Sequence, residues 1–175
     1  LWQPHYLSID DMVRGLSDLE MADHLRLVAE LYAIYNEYHP EPFDRFYRWG
    51  EMLLSDFDTI DKYLIDARAL YTNVSDLKDI EAQFSVLFEG NDESLRLVLG
   101  FWKAFNRRMA QSVEQQQFLR IWQSLYAIYD RFKGRLRELQ IAYSGLIYRD
   151  IAEQLQAGSL EERFGNQVYC FIGFN

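Results

Sequence analysis

The chain has 175 residues, 49% of them apolar and 16% aromatic, and its 27 acids against 18 Lys and Arg leave a net charge of −9. That length suits one domain with a sizeable core, and the apolar content excludes wholesale disorder. The acidic balance argues against nonspecific nucleic-acid binding by the whole surface, and no apolar run is long enough to span a bilayer.

The first residues, LWQPHYLSIDD, lack the basic start and apolar stretch of a secretory signal. The chain begins without Met and stops on Asn175 directly after an apolar run, so it reads as a cytoplasmic piece of a longer protein. Ser8 opens SIDDMVRGL as the cap of a short helix. Ser17 and Glu20 read as a capping box for SDLEMADHLRLVAELYAIYNEY, where Leu27, Leu31, Ile34 and Tyr38 recur at helical spacing. Pro40 and Pro42 end that helix. Trp49, Leu53, Phe57, Ile60, Leu64, Ala67 and Tyr71 then form one stripe, predicting a single long core-facing helix with Gly50 and Ser55 as points of bending. NVSD at 73–76 is a turn, and Leu77, Ile80, Phe84 and Leu87 mark a further helix. EGNDES at 89–94 is the next break, and 95–110 is aromatic and basic.

Phe118, Trp122, Leu125, Tyr129, Phe132, Leu136 and Leu139 make a second long stripe. A helix around 142–156 ends near Gly158, and Val168 to Phe174 reads as a strand, paired with the N-terminal LWQPHYL. The predicted fold is therefore all-α, a multi-helix bundle with one short C-terminal strand. LYAIY occurs at 31–35 and again at 125–129 with unrelated flanks, which predicts two similar core helices packed in one bundle.

The stretch WGEMLLSDFDTIDKYL at 49–64 gathers Glu51, Asp56, Asp58 and Asp61. At about 100° per residue, Asp56 and Asp61 fall on opposite shoulders of the apolar stripe, about 140° apart, so one regular helix cannot aim both at a single cation. Glu51, Ser55, Asp58 and Lys62 form a polar row, with Asp58 and Lys62 as an i,i+4 pair. The stretch reads as a solvated face. Asp56, crowded by Trp49, Met52, Leu53, Ile60 and Tyr63, is the half-buried exception that needs a partner. No phosphate-cradling G-x-x-x-x-G-K-[ST] loop is present. His5, His24, His39 and the single Cys170 supply neither a zinc set nor a Cys–His nucleophile, so no metal or cofactor is predicted. Cys170, inside VYCFIGF, reads as a buried structural thiol in a reducing compartment.

Charge is unevenly distributed. Residues 1–93 hold 20 acids against 7 Lys and Arg, and residues 94–175 hold 7 against 11. Arg131, Lys133, Arg135 and Arg137, with Arg107, Arg108 and Arg120 upstream, are candidate DNA contacts. Trp102, Phe105 and Trp122 lie among them, and cations with stacking aromatics are what a single strand requires. Helix geometry divides the set, because Arg131 with Arg135 and Lys133 with Arg137 point about 200° apart. A solvated helix with snorkelling cations is the plain alternative.

Three blocks, FDRFYRWGEMLLSDFDTIDKYLIDARALYTNVSDL (43–77), IAYSGLIYRDIAEQL (141–155) and YCFIGFN (169–175), together resemble the N-terminal region of AddB-like proteins. That bacterial family has a UvrD-like helicase module first and a PD-(D/E)XK nuclease last. The resemblance implies structural hallmark roles for Trp49, Gly50, Asp56, Asp58, Asp61, Tyr143, Gly145, Arg149, Gly173 and Phe174. It also implies that 1–165 is a helical accessory domain, inserted after the ATP-loop strand of the parent. Residues 166–175 would be the following strand, belonging to the helicase-like core. Active helicases end that strand with Asp-Glu to hold magnesium. Here Gly173, Phe174 and Asn175 resemble the AddB-like branch, and ATP hydrolysis is not expected of the module. The family's nuclease motif and iron–sulfur cysteines have no counterpart in these residues.

The function so implied is non-catalytic: a helical module of a helicase/nuclease-like DNA-repair protein that guides DNA or docks a partner. Its partners would be the remainder of the parent chain, DNA and an AddA-like subunit. One rival is a protein–protein interaction bundle with no DNA contact. A third reading is an enzyme using Asp56, Asp58 and Asp61.

Overall fold

The computed structural model describes residues 4–72, 112–164 and 168–173, whose regular elements are helices apart from one two-residue pair of parallel strands. Helix α1 (Ile9–Leu16) starts where Ser8 predicts, with the Asp11 N–H donating to Ser8 Oγ at 3.0 Å. Ser17, however, does not open the next helix. Its N–H donates to the Arg14 carbonyl to close α1, and its hydroxyl accepts from the Leu19 N–H at 3.1 Å. Glu20 and Met21 leave the predicted helix as strand β1, parallel to β2 (Ile141–Ala142). The capping box lost to a long-range ladder in which the Glu20 N–H donates to Gln140 O and the Ala22 N–H to Ala142 O, both at 3.0 Å. Helix α2 (His24–Tyr38) begins instead at Asp23, whose carboxylate accepts from the Leu25 N–H at 2.9 Å.

Helix α2 ends before HPEP as predicted, and α3 (Phe43–Lys62) starts directly after Pro42 and runs through Gly50 and Ser55 unbroken. The stripe from Trp49 to Tyr71 is continuous in sequence but not in space. Leu64 takes φ +54°, the chain turns, and α4 (Ala67–Thr72) carries the rest of the stripe. Helix α5 (Ser112–Glu138) buries Trp122, Leu125, Tyr129, Phe132 and Leu136 as its pattern predicts. Helix α6 (Ser144–Gln156) stops before Gly158 at φ +71°, and α7 (Glu161–Phe164) is a single turn.

Helix α3 packs against both α2 and α6, while α5 lies against α2 and α4, and α1 against α6. Rings do much of the joining. Phe46 of α3 meets Tyr35 of α2 at 4.7 Å, and Phe57 meets Tyr129 of α5 at 5.1 Å, centroid to centroid. Burying a ring such as Phe57 completely stabilises the fold by about 1.5–3 kcal/mol, and its edge contact with Tyr129 adds about 0.5–1.5 kcal/mol. The two LYAIY segments lie on α2 and α5, which pack together, and the Leu, the Ile and the second Tyr of both are buried. The repeated pentapeptide is one core solution used twice.

Two expectations about the C-terminus are corrected. Residues 168–173 form no ladder among the described residues, and neither they nor Tyr6 and Leu7 pair; Val168 and Ile172 are largely exposed. A strand needs a sheet edge to satisfy its backbone groups, and none of the described elements supplies one there. Cys170 is exposed, not buried. The turn, helix and break expected between 73 and 94, and the aromatic basic segment 95–110, lie outside the described residues. No helix among the described residues is long and apolar enough to cross a membrane.

Gln140 links α5 to β2 at φ +55° with its side chain exposed. A left-handed backbone costs an L-residue about 1–2 kcal/mol, and glycine escapes that cost at some loss of chain entropy. Gln140→Gly is therefore expected to stabilise the protein by about 0.5–1 kcal/mol. The urea midpoint should rise; an unchanged midpoint would mean that the backbone there is unstrained.

Candidate functional site

A helix leaves its last carbonyls without intrahelical partners, and α3 ends at a sharp corner. Backbone N–H groups of the turn reach the Thr59, Ile60 and Asp61 carbonyls, and Arg149, in the second turn of α6, adds a side-chain donor at the corner. Its Nη2 donates to the Ile60 carbonyl at 2.9 Å and to the Ile65 carbonyl at 2.7 Å, one on each side of the corner. Its Nε donates to the Asp61 carboxylate at 2.5 Å, and Nη1 reaches Glu153 at 3.4 Å.

Asp61 is completely buried. Besides Arg149, its carboxylate accepts from the Tyr129 hydroxyl of α5 and from the Tyr143 hydroxyl at the start of α6. Lys133, one turn beyond Tyr129, donates to the Tyr129 hydroxyl at 2.9 Å and stands 3.5 Å from the same carboxylate. Two cations and two phenols thus surround one carboxylate and tie α3, α5 and α6 together. Such charge-assisted bonds are what make a buried carboxylate tolerable. Burial, reinforced by the Asp61 charge, holds the Tyr129 and Tyr143 hydroxyls protonated well above the usual phenol range. Burial also pulls the Lys133 ammonium below its usual range, with Asp61 opposing and the Arg149 and Arg137 charges adding to the effect.

Asp58 has a separate task. Its Oδ1 accepts from the Gly145 N–H at 2.6 Å, one of the unpartnered donors in the first turn of α6. A Cβ on Gly145 would collide with the Asp58 backbone carbonyl, so only glycine lets α6 approach α3 this closely. Asp56 is buried on the other shoulder of α3, where its charge adds to burial in raising the Tyr71 hydroxyl of α4. Glu51 stays partly exposed, 4.0 Å from His24 Nδ1.

The solvated-face reading of 49–64 is therefore corrected. Asp61 is more deeply buried than Asp56, and Asp58 engages a backbone N–H of α6, not Lys62. Asp61 faces donors from α5 and α6, neighbours that a single helical wheel cannot display. Among the described residues, no group of three or more His, Cys, Asp and Glu is placed to hold a metal ion.

Of the hallmark positions, Asp58, Asp61, Tyr143, Gly145 and Arg149 meet in this one buried node. Gly50 leaves room for the Phe46 ring, and Trp49 packs at the edge of the core. Gly173 is exposed at φ +94°, and Phe174 lies outside the described residues. Sequence reasoning missed Tyr129 and Lys133 as members of the node. The available signal was an i,i+4 Tyr–Lys pair on the flank of an apolar stripe.

The candidate DNA contacts separate. Lys133 is buried in the node, so its candidacy as a DNA contact is withdrawn. Arg131 makes a two-pronged pair with Glu37 of α2 at 2.7 and 3.2 Å. Arg135 pairs with Glu30 at 3.3 Å and Glu138 at 3.6 Å, and Arg137 with Asp150 of α6 at 2.5 Å. Arg120 is exposed on α5, while Arg107 and Arg108 lie outside the described residues.

Two outcomes are expected of the node. Asp61→Asn strands two cations in the interior and should cost about 3–5 kcal/mol; Arg149→Lys keeps the charge but loses the fork, and should lose most of the same stability. A native urea midpoint for Arg149→Lys would show that charge alone suffices. The second outcome concerns pH. Raised phenol pKa values mean that above about pH 10 the unfolded chain releases protons the folded one keeps, so stability falls as pH rises. The lowered Lys133 pKa acts in the opposite sense, adding stability as pH approaches about 10.4, the ordinary lysine value. Urea unfolding from pH 8 to 11 should show the alkaline loss, and Tyr143→Phe should make it shallower.

Comparison with protein-family models, with curated proteins and with solved structures returned no match.

Proposed function

We propose that this chain is a non-catalytic helical docking module of a helicase/nuclease-like DNA-repair protein of the AddB-like kind, seating an AddA-like subunit against the parent chain. The observation that supports it is the convergence of the two long blocks carrying the resemblance. Asp61 in the first and Arg149 in the second are 88 residues apart in sequence and in direct contact, with Asp58, Tyr143 and Gly145 beside them. Positions picked out by resemblance alone thus share one physical task, which is to hold three helices in a fixed arrangement. Every group in that arrangement is occupied with its neighbours, which suits a scaffold better than a catalyst.

Docking is favoured over DNA guidance by the state of the basic residues. Arg131, Arg135 and Arg137 already face carboxylates, and Lys133 is buried, so a phosphate strand would have to displace internal partners. Exposed pairs of this kind are weak, which keeps DNA guidance open to experiment.

Anisotropy with a labelled single strand tests the choice. The docking reading predicts no binding that falls steeply between about 50 and 200 mM salt. Such binding, abolished by Arg131→Glu with Arg135→Glu and Arg137→Glu, would move the function to DNA guidance. Carboxyl-to-amine cross-linking of the parent complex tests docking itself. Links from the acids of this chain to the partner subunit are expected, and their complete absence would overturn the reading.

A further inference from the structure

The face shared by α2 and α5 carries a feature that the buried node does not use. Two ion pairs bridge the helices, Arg131 with Glu37 at 2.7 Å and Arg135 with Glu30 at 3.3 Å. Between them lies a groove of about 480 Å³ whose floor is Ala33, Ile34 and Gly134. A Cβ on Gly134 would meet nothing within 4 Å, so the floor is open at its middle.

The charges of this groove do not balance. Arg131 faces Glu37, and Arg135 is shared between Glu30 and Glu138 at 3.3 and 3.6 Å; with Asp130, four carboxylates line the groove against two guanidinium groups. Asp130 and Glu138 are eight residues apart on α5, which is about 12 Å along a helix. The excess is negative, and both guanidinium groups are already engaged, so an anion is disfavoured here. An aliphatic stem ending in a cation fits both the uncharged floor and the acidic ends.

We propose that this groove seats a basic helical segment of a partner protein, with two Lys or Arg side chains two turns apart. Their stems cross Ala33, Ile34 and Gly134, and their charged ends reach Asp130 and Glu138. The proposal rests on the docking reading and names the chemistry of the docked partner.

The test uses alanine-rich helical peptides titrated into the 175-residue chain at low salt. One peptide carries two lysines seven residues apart, and a control of the same composition carries them three apart. The wide spacing is expected to bind about tenfold more tightly than the narrow one. Asp130→Asn with Glu138→Gln should remove that preference. Gly134→Leu changes no charge and fills the floor; it should weaken the wide-spaced peptide about tenfold while circular dichroism and the unfolding midpoint stay native. Asp10→Asn with Asp11→Asn, which removes two acids elsewhere, should bind as the wild type does.

Equal binding of both peptides, wild-type affinity in Gly134→Leu, or an equal loss in the Asp10 and Asp11 variant would overturn the proposal, since net charge alone would then explain the attraction. Absence of peptide binding would also overturn it. If the parent complex still cross-links through other acids, the docking reading survives without this groove. If no cross-links form at all, the docking reading is the one that fails.

Discussion

A carboxylate taken out of water has to be surrounded by donors, and Asp61 meets that demand with groups drawn from two other helices. The Arg149 guanidinium, the two phenols and the nearby ammonium of Lys133 are held in place by the same packing that their bonds enforce. Removing one member leaves the others as buried polar groups with nothing to satisfy them, so the cluster behaves as a unit. Arg149 also braces the corner after α3 and anchors the chain beyond it, through the Ile60 and Ile65 carbonyls. The direction in which α4 departs, and hence the position of Tyr71 against Trp122 of α5 at 5.3 Å, follows from that anchor.

Close approach is the second constraint. Gly145 permits the start of α6 to press on the backbone of α3, and Asp58 converts that contact into a hydrogen bond to an otherwise orphaned N–H. Two neighbouring acids of one helix therefore serve α6 in different ways, Asp58 at its first turn and Asp61 through Tyr143 and Arg149. The outer helices are tied on by lesser links. The Tyr148 hydroxyl donates to Asp10 of α1 at 3.2 Å, and Arg163 caps α1 at the Leu16 carbonyl at 2.5 Å.

The surface repeats the logic of the interior at lower cost. Arg131 and Arg135 of α5 are answered by Glu37 and Glu30 of α2, so acids of the first half and bases of the second meet across that interface, while Arg137 is answered by Asp150 of α6 within the second half. What remains is an acidic excess between α2 and α5, at a place where the helices present small residues.

Much of the helical layout was legible from periodicity, because a buried helical face must repeat every three to four residues whatever it packs against. That holds for α2 beyond its first turn, for α3, for the stripe of α5 and for the Gly158 end of α6. The Ser17 start was misread because the hydrogen bonds of Glu20 and Ala22 go to residues some 120 positions away, which no local pattern records. The expected C-terminal strand failed for a related reason, since β-propensity alone supplies no partner strand.

The site was legible only in part. Resemblance marked Asp58, Asp61, Tyr143, Gly145 and Arg149, yet physical reasoning placed the acids on a wet face, because a helical wheel shows angles and not neighbours. The sequence by itself determined which residues are apolar at helical spacing, where proline and glycine interrupt them, and that acids predominate in the first half and bases in the second. Only the tertiary structure decided which groups surround Asp61, that Lys133 turns inward while Arg131 turns out, and that one carboxylate holds three helices. Those outcomes depend on contacts between segments 68 to 88 residues apart, and it is the geometry of their packing that sets them.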